Sequence, residues 1–248
     1  MSGRRRGIHV WTGEVPDIAA APDLAVLDEG ELRRLAAFRD PVVGARYAGA
    51  RAAIRRTVAA WLKVVPSDVV WGNEACPGCG DAGHGPPRVR RPATEWRVGV
   101  SRSGRWWMLA LSPGVPVGVD IEVRGPHEVP AVVRRCLSPA ERAEVAAAPE
   151  GGERDDRLTR CWVRKEAVVK GWGVGLGTDL AEVEVRPGLE RAVVVRRTLR
   201  GPEPWEVSDV AAGAACLAAL ARPAACALPV TVHGSTGPAA RHGGRARG

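Results

Sequence analysis

Asp120 and Glu122 are the residues whose spacing most directly suggests chemistry in this sequence. They lie in the run Gly118-Val119-Asp120-Ile121-Glu122, in which apolar and acidic positions alternate. Alternate side chains of a strand share one face, so both carboxylates would project together while Val119 and Ile121 enter the core. Paired carboxylates raise each other's pKa unless a cation joins them, and an all-oxygen set suits Mg²⁺. An Asp-x-Glu pair is also common on solvated strands, so it does not establish a metal site alone.

A third carboxylate, Glu166, lies beside two lysines on a helix predicted over residues 155–170. Lys170 follows Glu166 by four positions and stacks with it on one flank, while Lys165 sits one position round the helix. A surface ion pair of this kind contributes only about 0.3–0.5 kcal/mol. However, only three of the 36 Lys and Arg residues are lysines, and two of those three are here. A compact ammonium suits a crowded phosphate site beside a metal better than a planar guanidinium does.

Hydrophobic spacing predicts the elements that would hold these groups. In the first half we expect a strand at 8–11, helices at 31–38 and 46–63, and a long Gly/Pro-rich loop at 71–92. Arg46 and Arg51 fall off the apolar stripe of the second helix. Strands at 96–101, 105–111 and 115–122 follow closely in sequence, so we expect them to form a compact meander.

The second half has a similar mixture of elements. Ser138-Pro139-Ala140-Glu141 has the form of a capping box, and strands are predicted at 181–186, 192–199 and 205–210 after the helix at 155–170. We therefore predict an α+β fold of two similar α/β halves, residues 1–114 and 115–233, although no residue-level repeat is evident. Residues 234–248 are rich in Gly, Pro and Arg, and we expect a disordered tail there.

Composition limits the functional classes. The formal net charge of +8 and the pI near 9.8 favour an acidic partner. The arginine excess resembles genomic codon bias, so it is weak evidence for nucleic-acid binding. No secretory signal or membrane-spanning run is evident, and six cysteines are too sparse for a disulfide scaffold. We expect a cytoplasmic, reduced protein that is monomeric and binds neither membrane nor nucleic acid.

Together, Gly118-Val119-Asp120-Ile121-Glu122, the later Trp162-x-x-Lys165-Glu166-Ala167-x-x-Lys170 and the following Gly-x-Gly-Leu resemble the paired signature of the Sfp-type 4′-phosphopantetheinyl transferases. Three further segments extend the resemblance to most of residues 30–220. Residues 46–55 resemble the family's arginine-bearing helix, Cys76-Pro77-x-Cys79-Gly80 with His84-Gly85 resembles a loop of its actinobacterial members, and residues 96–103 resemble its third block.

The resemblance implies both a fold and an activity. Two halves would pack about a pseudo-twofold axis with coenzyme A in the cleft, and 4′-phosphopantetheine would pass to a serine of an acidic acyl or peptidyl carrier protein, releasing 3′,5′-ADP. Mg²⁺ would be held by Asp120, Glu122 and Glu166, and Glu166 would help to deprotonate the serine. The resemblance assigns contacts with coenzyme A to the following residues: Arg46, Arg51, Ser101, Arg102, Asp120, Lys165 and Lys170. Whether the carrier serves fatty-acid, polyketide or nonribosomal peptide biosynthesis is left open.

Two positions depart from the family pattern. Arg102 stands where the family usually has a histidine after Ser101, and Pro86 stands where a lysine is expected. Arginine can still bind a phosphate bidentately, whereas proline offers no charge. We expect an active enzyme with altered affinity for coenzyme A, and an inactive or altered-specificity paralogue is the first alternative.

Three other hypotheses compete. An arginine-rich nucleic-acid-binding protein would cluster its cations, whereas these are interleaved with acids. Another Mg²⁺-dependent phosphoryl-transfer enzyme would need a Gly-rich phosphate loop, and the sequence has none. Cys76, Cys79 and His84 offer three zinc ligands, but a structural zinc site takes four and no second Cys/His pair lies nearby, so the sequence disfavours zinc here.

Overall fold

The computed structural model describes residues 6–124, 135–174 and 178–234, which fold into a mixed α+β protein. Its helices are α1 (Ala21–Leu24), α2 (Glu29–Ala36), α3 (Pro41–Leu62), α4 (Pro139–Ala146) and α5 (Gly152–Trp172). Its strands are β1 (Ile8–Glu14), β2 (Val70–Asn73), β3 (Pro87–Arg91), β4 (Trp96–Ser103), β5 (Trp106–Pro113), β6 (Gly118–Val123), β7 (Arg191–Thr198), β8 (Gly201–Asp209), β9 (Cys216–Pro223) and β10 (Val230–His233). None of the described helices is both long and apolar enough to cross a membrane.

Two four-stranded sheets and two long helices form four layers. The first sheet has the order β10-β1-β5-β4, and the second has the order β6-β9-β8-β7. Strand alternation sends one set of apolar side chains between the sheets, including Val10 and Met108 from the first sheet and Ile121 from the second. The opposite faces pack against α3 and α5 respectively. The predicted α+β class is therefore confirmed.

The predicted meander of three strands is wrong. β4 and β5 form an antiparallel hairpin, but β6 pairs with β9 in the second sheet. Gly114, with φ of +70°, turns the chain out of β5, and β6 then lies beside β4 through side-chain contacts instead of a backbone ladder. The strand pattern was recognised correctly, but its partner comes from a distant part of the chain, which local spacing does not reveal.

The strand predicted at 181–186 is also wrong. A 3₁₀ turn covers Leu180–Glu182, and the chain that follows is irregular. Buried side chains of α5 donate hydrogen bonds to the backbone carbonyls of this segment. Arg164 donates to the oxygen of Val185, and Lys165 donates to those of Leu180 and Val183. Because these groups are already satisfied, they have no need of a neighbouring strand.

The loop predicted at 71–92 is shorter than expected. β2 and β3 form an antiparallel two-stranded sheet, which leaves residues 74–86 as the connecting loop. The C-terminal tail predicted to be disordered lies, from residue 235 onward, outside the described residues.

One kind of buried charge pair occurs twice in the described chain. Asp28 and Glu31 form a capping box at α2, and Glu31 pairs with the buried Arg55 of α3 at 2.6 Å. Ser138 and Glu141 form the capping box of α4, and Glu141 pairs with the buried Lys165 of α5 at 2.7 Å. The capping glutamate and its cation are separated by 24 residues in both pairs. A capping glutamate paired with a buried cation therefore occurs twice in the described chain at the same spacing.

β10 connects the end of the described chain to its beginning. It pairs with β1 in parallel, which places His233 beside His9 with 3.0 Å between ring nitrogens. The His233 ring also stacks on Trp11 with 4.4 Å between centroids. A strand near the end of the described chain thus completes the first sheet.

We predict that Lys165→Met lowers the free energy of unfolding by about 3–5 kcal/mol, because Glu141 would be left charged and buried without its partner. Lys63→Met removes an exposed lysine and serves as the control, with a change of less than about 0.5 kcal/mol. Urea unfolding followed by circular dichroism measures both. Equal stabilities of the two variants would contradict the role of the buried pair.

Candidate functional site

Two glycines allow α5 to lie directly on β6. A Cβ atom at Gly118 would approach the Ala167 carbonyl oxygen to 1.9 Å, and one at Gly171 would approach the Trp205 ring to 2.5 Å. Since real Cβ atoms do not approach other atoms this closely, side chains at these positions would force the helix away from the strand. The close contact places Glu166 and Lys170 against the face of β6 that carries Asp120 and Glu122.

Asp120 is the buried centre of this junction, with 2% of its surface exposed. Its Oδ1 accepts hydrogen bonds from Ser101 Oγ at 2.6 Å and from Lys170 Nζ at 2.5 Å, and Lys170 also donates to Ser101 at 3.2 Å. Burial raises the pKa of the Asp120 carboxyl, while the Lys170 charge and the hydrogen bonds lower it. β4, β6 and α5 therefore each contribute one side chain to a hydrogen-bonded cluster centred on the buried Asp120 carboxylate.

Glu122 occupies the next position on the same strand face. Its carboxylate accepts a hydrogen bond from Ser103 Oγ and one from the side chain of Trp162. Burial raises the pKa of Glu122, the hydrogen bond from Ser103 opposes that rise, and the nearby Asp120 charge adds to it. The predicted projection of Asp120 and Glu122 from one face is thus observed.

Glu166 approaches the same pair of acids from α5. Burial raises the pKa of its carboxyl to about 7; the charge of Lys170 opposes that rise, while those of Asp120 and Glu122 add to it. Glu166 is thus electrostatically part of the same cluster. A carboxyl with this pKa can take up or release a proton near neutral pH.

The acids fit an oxygen-seeking cation. Asp120 Oδ2 and Glu166 Oε1 are buried, and neither has a hydrogen-bond partner among the described residues. Unpaired buried carboxylate oxygens are costly, and a hard divalent cation would satisfy them. The ligand atoms of the three acids are not all within 4.8 Å of one another in this structure. Within the described ranges, only Cys76, Cys79 and His84 form a trio with all ligand atoms within 4.8 Å.

A cavity of about 590 Å³ opens beside the acidic cluster. Lys170 and Ser101 form its inner end, and Arg34, Arg51 and Arg102 contribute cations to its walls. Neither Arg34 nor Arg102 has a carboxylate within ion-pair distance in the part of the chain that the structure describes, while Arg51 pairs with Glu31. Burial lowers the pKa of Arg102, and the charges of Arg34 and Arg51 lower it further. Unneutralised cations held this close favour an anionic ligand.

Aromatic rings support the cations of this cavity. The Arg102 guanidinium lies 5.3 Å from the Tyr47 ring centroid, and Arg51 lies 5.1 Å from that of Trp71. Sequence inspection missed Arg34, Tyr47 and Trp71 as cavity residues. Arg34 lies on α2 and Arg51 lies on α3, so the spacing within one helix does not relate them.

Two of the predicted site residues lie elsewhere. The ammonium of Lys165 is completely buried on the far side of α5 with Glu141, so Lys165 does not reach the cavity. Arg46 pairs with Asp17 at 2.7 Å and does not line the cavity, whereas Arg51, five residues further along α3, does. The scarcity of lysines drew attention to α5, and the two lysines lie on different faces of that helix, Lys165 with Glu141 and Lys170 with Asp120. Pro86 lines a smaller neighbouring cavity together with His84 and Lys170.

A known protein family matches the part of the chain that carries the acidic cluster. Residues 116–221 match the model of the 4′-phosphopantetheinyl transferase superfamily, ACPS. The match runs from just before β6 into β9 and includes the three acids and Lys170. No curated protein matches the chain significantly. The match confirms the resemblance for this region at the level of the superfamily, and the mixed α+β architecture is compatible with such a fold.

The raised pKa of Glu166 predicts a pH-dependent stability in metal-free protein. A carboxyl whose pKa rises from 4.5 to about 7 on folding contributes stability below pH 4.5 that is lost as the pH rises to about 7. The side chain in Glu166→Gln cannot ionise, so this variant avoids the cost of a buried charge at high pH. The difference in free energy of unfolding between the variant and the wild type should therefore be about 1–2 kcal/mol more in favour of the variant at about pH 8.5 than at about pH 5.5, after allowing for solvent screening. Urea unfolding in EDTA measures the difference. Glu153→Gln, on the exposed start of α5, should show no such pH dependence.

Proposed function

We propose that this protein transfers 4′-phosphopantetheine from coenzyme A to a serine of an apo acyl or peptidyl carrier protein, and that it is of the Sfp type. The observation that carries the proposal is the convergence of Asp120, Glu122, Glu166 and Lys170 beside a cationic cavity, within the region that matches the superfamily. The remaining features of the cavity support the same reaction.

Asp120, Glu122 and Glu166 are the residues that would hold Mg²⁺. When bound, the ion would neutralise charge on the pyrophosphate oxygens of coenzyme A. Lys170 already neutralises Asp120 in the described structure and lies at the cavity's inner end, where its ammonium would bind a phosphate oxygen. Glu166, directly or through a water molecule, would accept the proton of the carrier serine as its oxygen attacks the β-phosphate, and 3′,5′-ADP would leave.

The cavity is suited to the nucleotide end of coenzyme A. Arg102, Arg34 and Arg51 would bind its phosphates, and their side chains already lie together without enough carboxylates to neutralise them. The rings of Trp71 and Tyr47 provide flat surfaces for the adenine, since bases stack well on aromatic side chains. Arg102 would thus replace the histidine of the family pattern while retaining a positive charge at the phosphate. Lys165 and Arg46 have no place in this arrangement.

The repeated capping-box charge pair supports two halves related by a pseudo-twofold axis. β1, α3, β5 and β4 would correspond to β6, α5, β9 and β8, because the sheets share the order β1-β5-β4 and β6-β9-β8. We propose halves of residues 1–114 and 115–233, with β10 crossing back to the first sheet. The site lies where β4 of one half meets β6 and α5 of the other. The excess positive charge of the chain suits an acidic carrier protein.

Mass spectrometry of a carrier protein tests the transfer directly. Apo carrier incubated with the protein, coenzyme A and Mg²⁺ should gain the mass of one phosphopantetheine, and EDTA should prevent the gain. Glu122→Gln and Glu166→Gln should each lower the rate at least about 100-fold by removing a charged ligand. The Glu153→Gln variant should retain the wild-type rate. No mass gain on fatty-acid, polyketide or peptide carriers that a known transferase modifies would favour the inactive paralogue.

Arg102 is predicted to determine affinity for coenzyme A. Arg102→Ala should raise KM for coenzyme A about 10–100-fold with little change in kcat, because a charge-assisted phosphate contact contributes about 1.5–3 kcal/mol. Arg56→Ala is the control: Arg56 lies on α3, pairs with Asp23 and does not line the cavity. Arg102→His tests whether the family's usual residue binds better. An unchanged KM in Arg102→Ala would remove Arg102 from the binding site.

A further inference from the structure

The loop at 74–86 brings together three side chains that bind metals. Cys76 Sγ, Cys79 Sγ and His84 Nε2 all lie within 4.8 Å of one another, and the Cys79 sulfur is 3.1 Å from the His84 nitrogen. Both cysteines are free thiols. Tetrahedral zinc takes sulfur at about 2.3 Å and imidazole nitrogen at about 2.0–2.1 Å, which leaves the ligand atoms about 3.5–3.8 Å apart. The three donors are therefore gathered on the scale of a zinc site.

The backbone of the loop is built to keep these donors together. The Cys76 N–H donates to the backbone carbonyl oxygen of Asp81, and the Gly80 N–H donates to the backbone carbonyl oxygen of Cys76, both at 2.8 Å. Gly80 has a φ of +79°, and a Cβ atom at Gly85 would approach the Glu74 oxygen to 1.9 Å. Two tight turns thus require glycine, and they bring His84 back to the cysteines.

The tip of the loop has almost no apolar core. Cys76 is buried, but residues 77–84 are all exposed. A segment that buries so little cannot offset its own loss of conformational entropy by packing. Backbone N–H groups of Gly78 and Cys79 donate to the Cys76 sulfur, as expected of amides that support a thiolate ligand. A bound metal would supply the missing stabilisation.

We propose that Cys76, Cys79 and His84 bind one Zn²⁺ ion, with the fourth position taken by Asp81 or by water. Two thiolates and an imidazole favour zinc over the hard cations that carboxylates select. Asp81 Oδ2 lies 3.8 Å from His84 Nε2, so its exposed carboxylate is the nearest candidate for the fourth ligand. This proposal is independent of the transferase activity, and this site is separate from the acidic cluster.

The position of the loop indicates what the zinc would do. Pro86 packs against Gly173 at the end of α5, where a Cβ would approach the proline ring to 2.5 Å, and Gly78 faces Val174. His84 and Pro86 also line a cavity of about 220 Å³ that is shared with Lys170. The zinc would hold this wall against the helix that carries Lys170, and its role would be structural.

Zinc content of the full-length protein tests the proposal. Protein purified under reducing conditions with zinc present and then dialysed should carry one zinc per chain, as measured by inductively coupled plasma mass spectrometry. A chromophoric chelator measures affinity by competition, and Co²⁺ substitution should show thiolate charge-transfer and tetrahedral absorption bands. Loss of a residue that merely supports a ligand typically costs about 10–100-fold in metal affinity, so Cys79→Ser and His84→Ala should each cost at least about 100-fold.

Both substituted positions are exposed, so folding should survive, and circular dichroism checks it. Cys226→Ser, a cysteine outside the loop, should keep full zinc content and affinity. A loss of affinity in Asp81→Asn would identify the carboxylate as the fourth ligand, and unchanged affinity would identify water. A folded wild-type protein with less than about 0.1 zinc per chain and titratable thiols, or undiminished affinity in Cys79→Ser, would overturn the proposal.

Discussion

The close approach of α5 to β6 is the constraint on which the site depends. Gly118 and Gly171 leave no side chain between helix and strand, so the two backbones nearly touch. Asp120 consequently becomes buried with Lys170 beside it, and Glu166 faces the same acids. Were the helix further away, water would separate these charges and their pKa values would return toward ordinary ones. The perturbed acids are thus a product of backbone packing.

Buried charges serve two separate purposes on this one helix. Lys165 and Arg164 are buried on the side of α5 that faces residues 180–190. There they donate to backbone carbonyls of that irregular segment, and Lys165 also pairs with the capping glutamate of α4. Lys170 and Glu166 face the junction with the first sheet. The helix is therefore held rigidly by one set of charges while it presents another. A rigid support of this kind keeps reactive groups aligned without loss of entropy when a ligand binds.

The cavity is lined by side chains from separate segments of the chain, and most of the charged ones are cations. Arginines from α2, α3 and β4 meet there with Lys170 of α5, and the available carboxylates neutralise only part of their charge. The excess is unfavourable in the free protein, and a phosphorylated ligand would relieve it. The loop at 74–86 closes the adjoining wall through backbone turns and polar side chains, since it has little apolar surface to bury. Charge and backbone hydrogen bonding therefore shape this end of the molecule more than apolar packing does.

The sequence alone determined the local features. Strand alternation placed Asp120 and Glu122 on one face, the helix spacing placed Glu166 near Lys170, and the capping box at Ser138 marked the start of α4, because each depends on neighbouring residues. Only the tertiary structure decided which distant strand β6 pairs with, that Lys165 belongs to the core, and that Arg34 joins Arg51 and Arg102. Those outcomes depend on contacts between residues far apart in the chain, and local periodicity carries no information about them.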